Sequence, residues 1–188
     1  MLHQIDPSEK VASDISRLFK ELKINQLLHA ANIKKTRGIS VQQVFEFIFM
    51  LTLYGKNQYR FLSSKRGQGL PGKDVYYNFL NNPHYAWRRF LLMLAFRATE
   101  KFDHLTSDKR VRAFIVDDSP VARNCSKQAE LSARVFDHSK QRYIKGFNML
   151  TLGWTDGYSF VPVDFAMLSS AKESNRYTEA SASIDKRA

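Results

Sequence analysis

The sequence predicts a mixed fold, with an all-helical front over residues 1–105 and a strand-rich back over residues 111–188. Three observations lead there. Apolar residues recur at helical spacing as far as about residue 105. From Arg112 the period shortens to that of strands, with two apolar runs joined by Asp156-Gly157. The charge changes at the same place: residues 1–110 hold 18 Lys+Arg against 9 acids, residues 111–188 hold 11 against 9, within a total of +11.

Taken in order, Ile15, Leu18, Phe19 and Leu22 form the apolar stripe of a first amphipathic helix, with Asp14, Arg17, Lys20 and Glu21 between them. Ser40 is placed to cap a second, from Val41 to Tyr54, which is apolar almost all round and therefore central; Gly55 can stop it. Residues 73–81 read as a short helix capped by Asp74. Trp87, Phe90, Leu91, Leu94 and Ala98 line a longer one, with Arg88, Arg89 and Arg97 on its outer face. Residues 112–118 then read as a buried strand ending in two acids. Residues 146–154 and 159–168 read as two further strands, joined as a hairpin at Asp156-Gly157. In the last strand Val161, Val163, Phe165 and Met167 fall on one face, and Pro162 calls for an edge or a bulge. The segment after Ser169 is polar and has no core pattern.

Composition narrows the function. With 44% apolar residues and 13% aromatics the chain can build a core and is not globally disordered. One cysteine excludes a disulfide framework and a cysteine-based zinc site. The first residues have no charged n-region or apolar h-region, and the apolar run Val44 to Leu53 is too short to span a bilayer. The expectation is a soluble, cytoplasmic protein whose basic charge points to nucleic acid.

Several motifs have bland explanations. Gly67-Gln-Gly-Leu-Pro-Gly72 fits the dinucleotide fingerprint by letter, but basic residues in a helical region precede it and Pro71 interrupts it, so it reads as a flexible loop. Asn124-Cys-Ser126 matches a glycosylation sequon without an export signal. Cys125 has no base beside it in sequence, and the five histidines make no metal-binding pair. The cations carry more. Lys34, Lys35 and Arg37 cluster after the first helix, and Arg60, Lys65, Arg66 and Lys73 bracket the glycine-rich turn. With Tyr76, Tyr77, Asn78, Asn81 and Asn82, residues 73–82 could lie on DNA as a helix-turn-helix reader; a solvated basic face explains them equally.

The strongest chemical feature is Ile115-Val116-Asp117-Asp118-Ser119. Carboxylates at the end of a buried strand need a partner. Alternation puts Asp117 on the face of Ala113 and Ile115, and Asp118 on the face of Phe114 and Val116. A strand-end carboxylate suits a hard, oxygen-seeking Mg²⁺, whereas the ordinary alternative is a turn begun by Asp118-Ser119-Pro120.

Over Arg112 to Ser170 the sequence resembles the DDE transposases of bacterial insertion sequences, in particular the insertion-sequence-four-type group. The resemblance is carried by Phe114-Ile-Val-Asp-Asp-Ser119, Val135-Phe-Asp-His-Ser139, Tyr143-Ile-Lys-Gly-Phe147, Met149-Leu-Thr-Leu-Gly-Trp-Thr-Asp-Gly157 and Phe160-Val-Pro-Val-Asp-Phe-Ala-Met-Leu-Ser-Ser170. Upstream it extends to Asn32-Ile-Lys-Lys35, Lys73-Asp-Val-Tyr76 and Trp87-Arg-Arg-Phe90. Behind the all-α N-terminal region it implies an α/β RNase H-like domain whose first three strands, residues 112–118, 146–154 and 159–168, form an antiparallel meander. It also implies two Mg²⁺ ions held by a D…D…E triad, and attack on DNA phosphodiesters at transposon ends. The family's first acid precedes a variable and a hydroxyl residue, which selects Asp117 as catalytic residue and metal ligand and leaves Asp118 as the second choice.

The resemblance also implies a second acid on a fourth strand and a glutamate on a later helix. Asp156, Asp164, Glu173, Glu179 and Asp185 do not fall where these belong, so the expectation is an incomplete RNase H-like domain that does not cleave DNA alone. The partner expected is DNA carrying terminal inverted repeats, with a second copy or a full-length transposase as dimer partner. Phosphate contacts are expected from Lys34, Lys35, Arg37, Lys65, Arg66 and Lys73 in the front. Lys127, Arg134, Lys140, Arg142 and Lys145 are their counterparts between the first two strands. A non-catalytic DNA-binding or inhibitory protein is the alternative. An open meander also exposes an apolar face and an unpaired edge.

Overall fold

The structure, a computed structural model, describes residues 7–105, 107, 109–127 and 129–179. Its described α-helices all precede its described strands, and the chain divides into two compact units between Leu94 and Ala95.

In the first unit α1 (Pro7–Glu21) is followed by α2 (Ile24–Ala30), α3 (Val41–Leu53), α4 (Gln58–Leu62) and α5 (Lys73–Leu80), and then by the start of α6 (Trp87–Leu105). Ile15 and Phe19 of α1 are buried, as the helical spacing requires, but Leu18 stays exposed. They pack with Ile24, Leu27 and Leu28 of α2, Val41 and Val44 of α3, Tyr76 and Phe79 of α5 and Phe90 of α6. Aromatic rings fill the space between: Phe45 meets Phe19 and Phe90 at 5.8 and 5.2 Å, and Phe47 meets Tyr76 at 4.6 Å. Burial raises the pKa of the Tyr76 phenol above its ordinary value.

Ser40 caps α3 as expected, its Oγ accepting from the Gln43 N–H while the Gln43 side chain reaches back to the Ser40 N–H. The helix ends before Gly55, whose φ of +58° suits glycine. The cap of α5 differs from expectation: Gly72 holds that position and Asp74 lies in the first turn, where a carboxylate still favours the helix dipole. The glycine-rich motif is a loop with a single 3₁₀ turn over Lys65–Gly67, between two helices. That connection, residues 63–72, is longer than the turn of a helix-turn-helix.

The second unit holds the rest of α6 and one antiparallel sheet of four strands: β1 (Ala113–Ala122), β2 (Ala133–Asp137), β3 (Arg142–Thr155) and β4 (Phe160–Leu168). β3 is central. β1 pairs along one edge from Ala113↔Thr155 to Ala122↔Gly146. β2 pairs residues 142–146 of β3, and β4 pairs residues 148–155. The three-stranded meander is therefore β1, β3 and β4, in the expected order, with β2 as a fourth, short strand inside the connection. A register shift between Leu152 and Gly153 marks the bulge that Pro162 called for. It splits the expected stripe of β4, because Val161 lies opposite Trp154 while Phe165 and Met167 lie opposite Thr151 and Met149.

Ala95 and Ala98 of α6 pack on Trp154, Val161 and Val163. The expectation of a buried first strand is corrected: Phe114 is 69% and Val116 63% exposed. The physical reason is that β1 is an edge strand and the cluster under α6 is built on β3 and β4, with no β1 residue in it among the described residues. No described helix is long and apolar enough to cross a membrane.

Candidate functional site

Asp117 and Asp118 are not turn residues. β1 runs on through Ser119 and Pro120 to Ala122, so both acids stand in mid-strand beside the central strand. Residues opposite one another in an antiparallel pair share a face. Asp117 thus stands with Ser119 on β1, Thr151 and Met149 on β3, and Phe165 and Met167 on β4. Asp118 is on the other face with Val116, Leu150, Asn148 and Asp164. Both carboxylates are exposed. The Ser119 hydroxyl donates to Asp117 Oδ2 at 3.3 Å, and Asn148 Nδ2 donates to Asp118 Oδ2 at 3.3 Å. Ser119, two positions on and on the same face, is the hydroxyl residue whose spacing singled out Asp117.

Asp137, Asp156, Asp103, Glu179 and Asp164 have local partners. Asp137 closes the β2–β3 turn: its Oδ1 accepts from the Ser139 hydroxyl at 2.6 Å and from the Ser139 and Lys140 N–H groups at 3.0 and 3.1 Å. The Ser139 hydrogen bond, assisted by Lys140, holds this carboxyl below the ordinary aspartate range, outweighing the opposing effect of burial. Asp156 closes the β3–β4 turn and meets Arg110 Nη1 at 3.1 Å. Asp103 pairs with Arg112 at 2.5 Å and Glu179 with Arg176 at 3.6 Å. Asp164 Oδ1 accepts from the Phe165 N–H at 2.9 Å, and Glu173 opens a 3₁₀ turn. Asp185 lies outside the described residues.

A Mg²⁺ ion takes six oxygens, and a two-metal centre draws several carboxylates from different elements. Each face of β1 supplies one, and no group of three or more His, Cys, Asp or Glu converges among the described residues. The described donor set does not fit a two-metal centre.

Of the cations, Lys34, Lys35 and Arg37 are exposed between α2 and α3, Lys65 in the 3₁₀ turn, and Lys73 at the first residue of α5. The side chain of Arg66 lies outside the described residues. Lys127 and Arg142 are exposed, as is Arg134, whose guanidinium sits 3.9 Å from the Tyr143 ring centroid. Two candidates have internal partners. Lys140 Nζ lies 3.4 Å from Asp137 Oδ2, and Lys145 Nζ donates to the Ser126 carbonyl at 2.7 Å. Sequence reasoning passed over Tyr143; with β2 unrecognised, nothing placed it beside Arg134 on one hairpin.

A helical front, an antiparallel sheet with a long central strand, and an exposed acid in mid-strand of its neighbour define a partial RNase H-like fold of the nuclease type. Residues 70–187 match the family described as DDE superfamily endonuclease, and the chain belongs to that family. The match begins ahead of α5, within the helical part. No curated protein and no solved structure matches the chain.

Proposed function

We propose that the protein acts in DNA transposition as a transposase of the insertion-sequence-four type, with Asp117 as a metal-ligating carboxylate and Asp118 as a neighbour that orients it. One observation carries the reading. In a chain of the DDE superfamily, Asp117 stands exposed in mid-strand next to the central strand, with its hydroxyl neighbour Ser119 on the same face. The helical region 1–105 docks on the DNA of transposon ends through Lys34, Lys35, Arg37, Lys65, Arg66 and Lys73. Region 111–188 holds the catalytic acid and further phosphate contacts from Lys127, Arg134, Arg142 and Lys145, whereas Lys140 is engaged by Asp137. Mg²⁺, which the family implies, would be held by Asp117 among the described residues.

A second reading, a DNA-binding protein that does not cleave or that inhibits an intact transposase as its dimer partner, is favoured by a specific observation. Asp137, Asp156 and Asp103 hold local partners, and no group of three or more His, Cys, Asp or Glu converges among the described residues. Incubating the 188-residue chain with labelled duplex carrying the terminal inverted repeats and Mg²⁺ tests both readings. Retention of the duplex without strand cleavage is expected. Cleavage abolished by Asp117→Ala would overturn the non-cleaving reading and keep Asp117 as ligand. Failure to retain the duplex would remove both.

A further inference from the structure

We propose that the β2–β3 hairpin is a stacking platform for unpaired DNA bases, on the face of the sheet that carries Asp117; this rests on the DNA reading above. Arg134 pairs with Lys145 and Phe136 with Tyr143 across the hairpin, so these four side chains share one face. Alternation along β3 makes it the face of Thr151, the cross-strand partner of Asp117. From Tyr143 to Thr151 the strand covers roughly 27 Å.

Tyr143 is 57% exposed although its surroundings hold it in place. The Arg134 guanidinium lies on its ring at 3.9 Å, and the Phe136 ring meets it edge-on at 5.1 Å. A second exposed ring, Tyr177, has Lys145 Nζ 5.4 Å from its centroid. Residues 122–145 contain six Lys/Arg and two acids, and one of those acids, Asp137, is buried and paired. Cations alone would fit a duplex backbone. An exposed, pre-ordered ring gains nothing from a duplex, whose bases stack on one another and offer only edges. Rings interleaved with guanidinium and ammonium groups fit an unpaired nucleotide, its base on the π surface and its phosphates on the cations.

The test uses the 188-residue chain and fluorescent DNA of one sequence in two forms, a blunt duplex and the same duplex with a single-stranded extension carrying 2-aminopurine. At equal salt the extended form is expected to bind roughly tenfold tighter, with 2-aminopurine fluorescence quenched by stacking. Tyr143→Leu should lose the preference and the quenching while Tyr143→Trp keeps both, blunt-duplex affinity being the same in all three. Thermal melts confirm that each variant is folded. Equal affinity of the wild type for both forms, or a preference that survives Tyr143→Leu, overturns the platform and leaves the DNA reading standing. Binding of neither form overturns both.

Discussion

Asp156 is 2% exposed, and a carboxylate so placed must be satisfied by the protein. Its Oδ1 accepts from the Tyr158 and Ser159 N–H groups at 3.1 and 2.6 Å, and its Oδ2 from Arg110, whose guanidinium also lies 4.0 Å from the Tyr158 ring centroid. Removing the carboxylate frees two turn N–H groups and strips a cation of its partner. Asp156→Ala is therefore expected to lower stability by about 1–3 kcal/mol in chemical denaturation, the Arg110 guanidinium being partly solvated. A loss below about 1 kcal/mol would show that the turn holds without this anchor. The Asp-Gly signal located this turn, but not the arginine that completes it, which lies 46 residues upstream. Asp137 makes a different prediction because its pKa is lowered in the folded state. Such a group stabilises the fold fully above the ordinary aspartate value of about 3.9, and the contribution disappears as pH falls through the lower folded value. Asp137→Asn should thus be less stable than wild type at neutral pH, and the gap should narrow in unfolding curves taken below about pH 4. A gap independent of pH would refute the assignment.

At the scale of elements, what could be read from the sequence depended on whether a local signal or a distant partner decides the structure. Ser40 and Gln43 cap α3 through neighbours in sequence, and the cap was legible; Ser40→Ala should cost about 1 kcal/mol in thermal or chemical unfolding. The β3–β4 hairpin was legible for the same reason. The short strand β2 was not: its five residues carry no turn dipeptide, and its pairing is set by β3 and by the segment after β4. Arg176 bridges to Ala133, while Tyr177 and Thr178 donate backbone N–H groups to the Ser132 carbonyl. The apolar composition of residues 113–116 suggested burial, yet burial is decided by what packs on the strand. Gly146 reveals the closest approach in the sheet, since a Cβ there would lie 2.0 Å from the Val121 carbonyl oxygen. The obstacle is backbone and cannot rotate away. Gly146→Ala should destabilise the sheet unit by about 1–3 kcal/mol, detected as faster amide exchange along β1. Unchanged exchange in a variant of wild-type stability would contradict this.

For the whole molecule, the informative numbers are a charge of +11 and where the cations stand. For the proposed site, the family resemblance selects Asp117 through its hydroxyl neighbour and the strand period predicts the alternation of the two acids, both of them local properties. The sequence could not locate a ligand set, since carboxylates that join on a metal come from separate elements and their meeting depends on tertiary structure. It also could not separate cations that point to solvent from those with internal partners: Lys140 and Lys145 look like Lys34 and Lys35 in a sequence, yet the first pair bonds to Asp137 and Ser126. That difference has a measurable consequence in salt titration of duplex binding. Each cation that neutralises a phosphate adds about 0.9 to the slope of log affinity against log salt, whatever the DNA sequence. Replacing Lys34, Lys35 and Arg37 together by Ala should therefore flatten the slope by between two and three, as ~0.9 for each of three contacts requires. Lys140→Ala should leave the slope nearly unchanged and lower stability instead, because its charge serves Asp137. An unchanged slope in the triple variant would place those three cations in solvent and move the docking surface elsewhere.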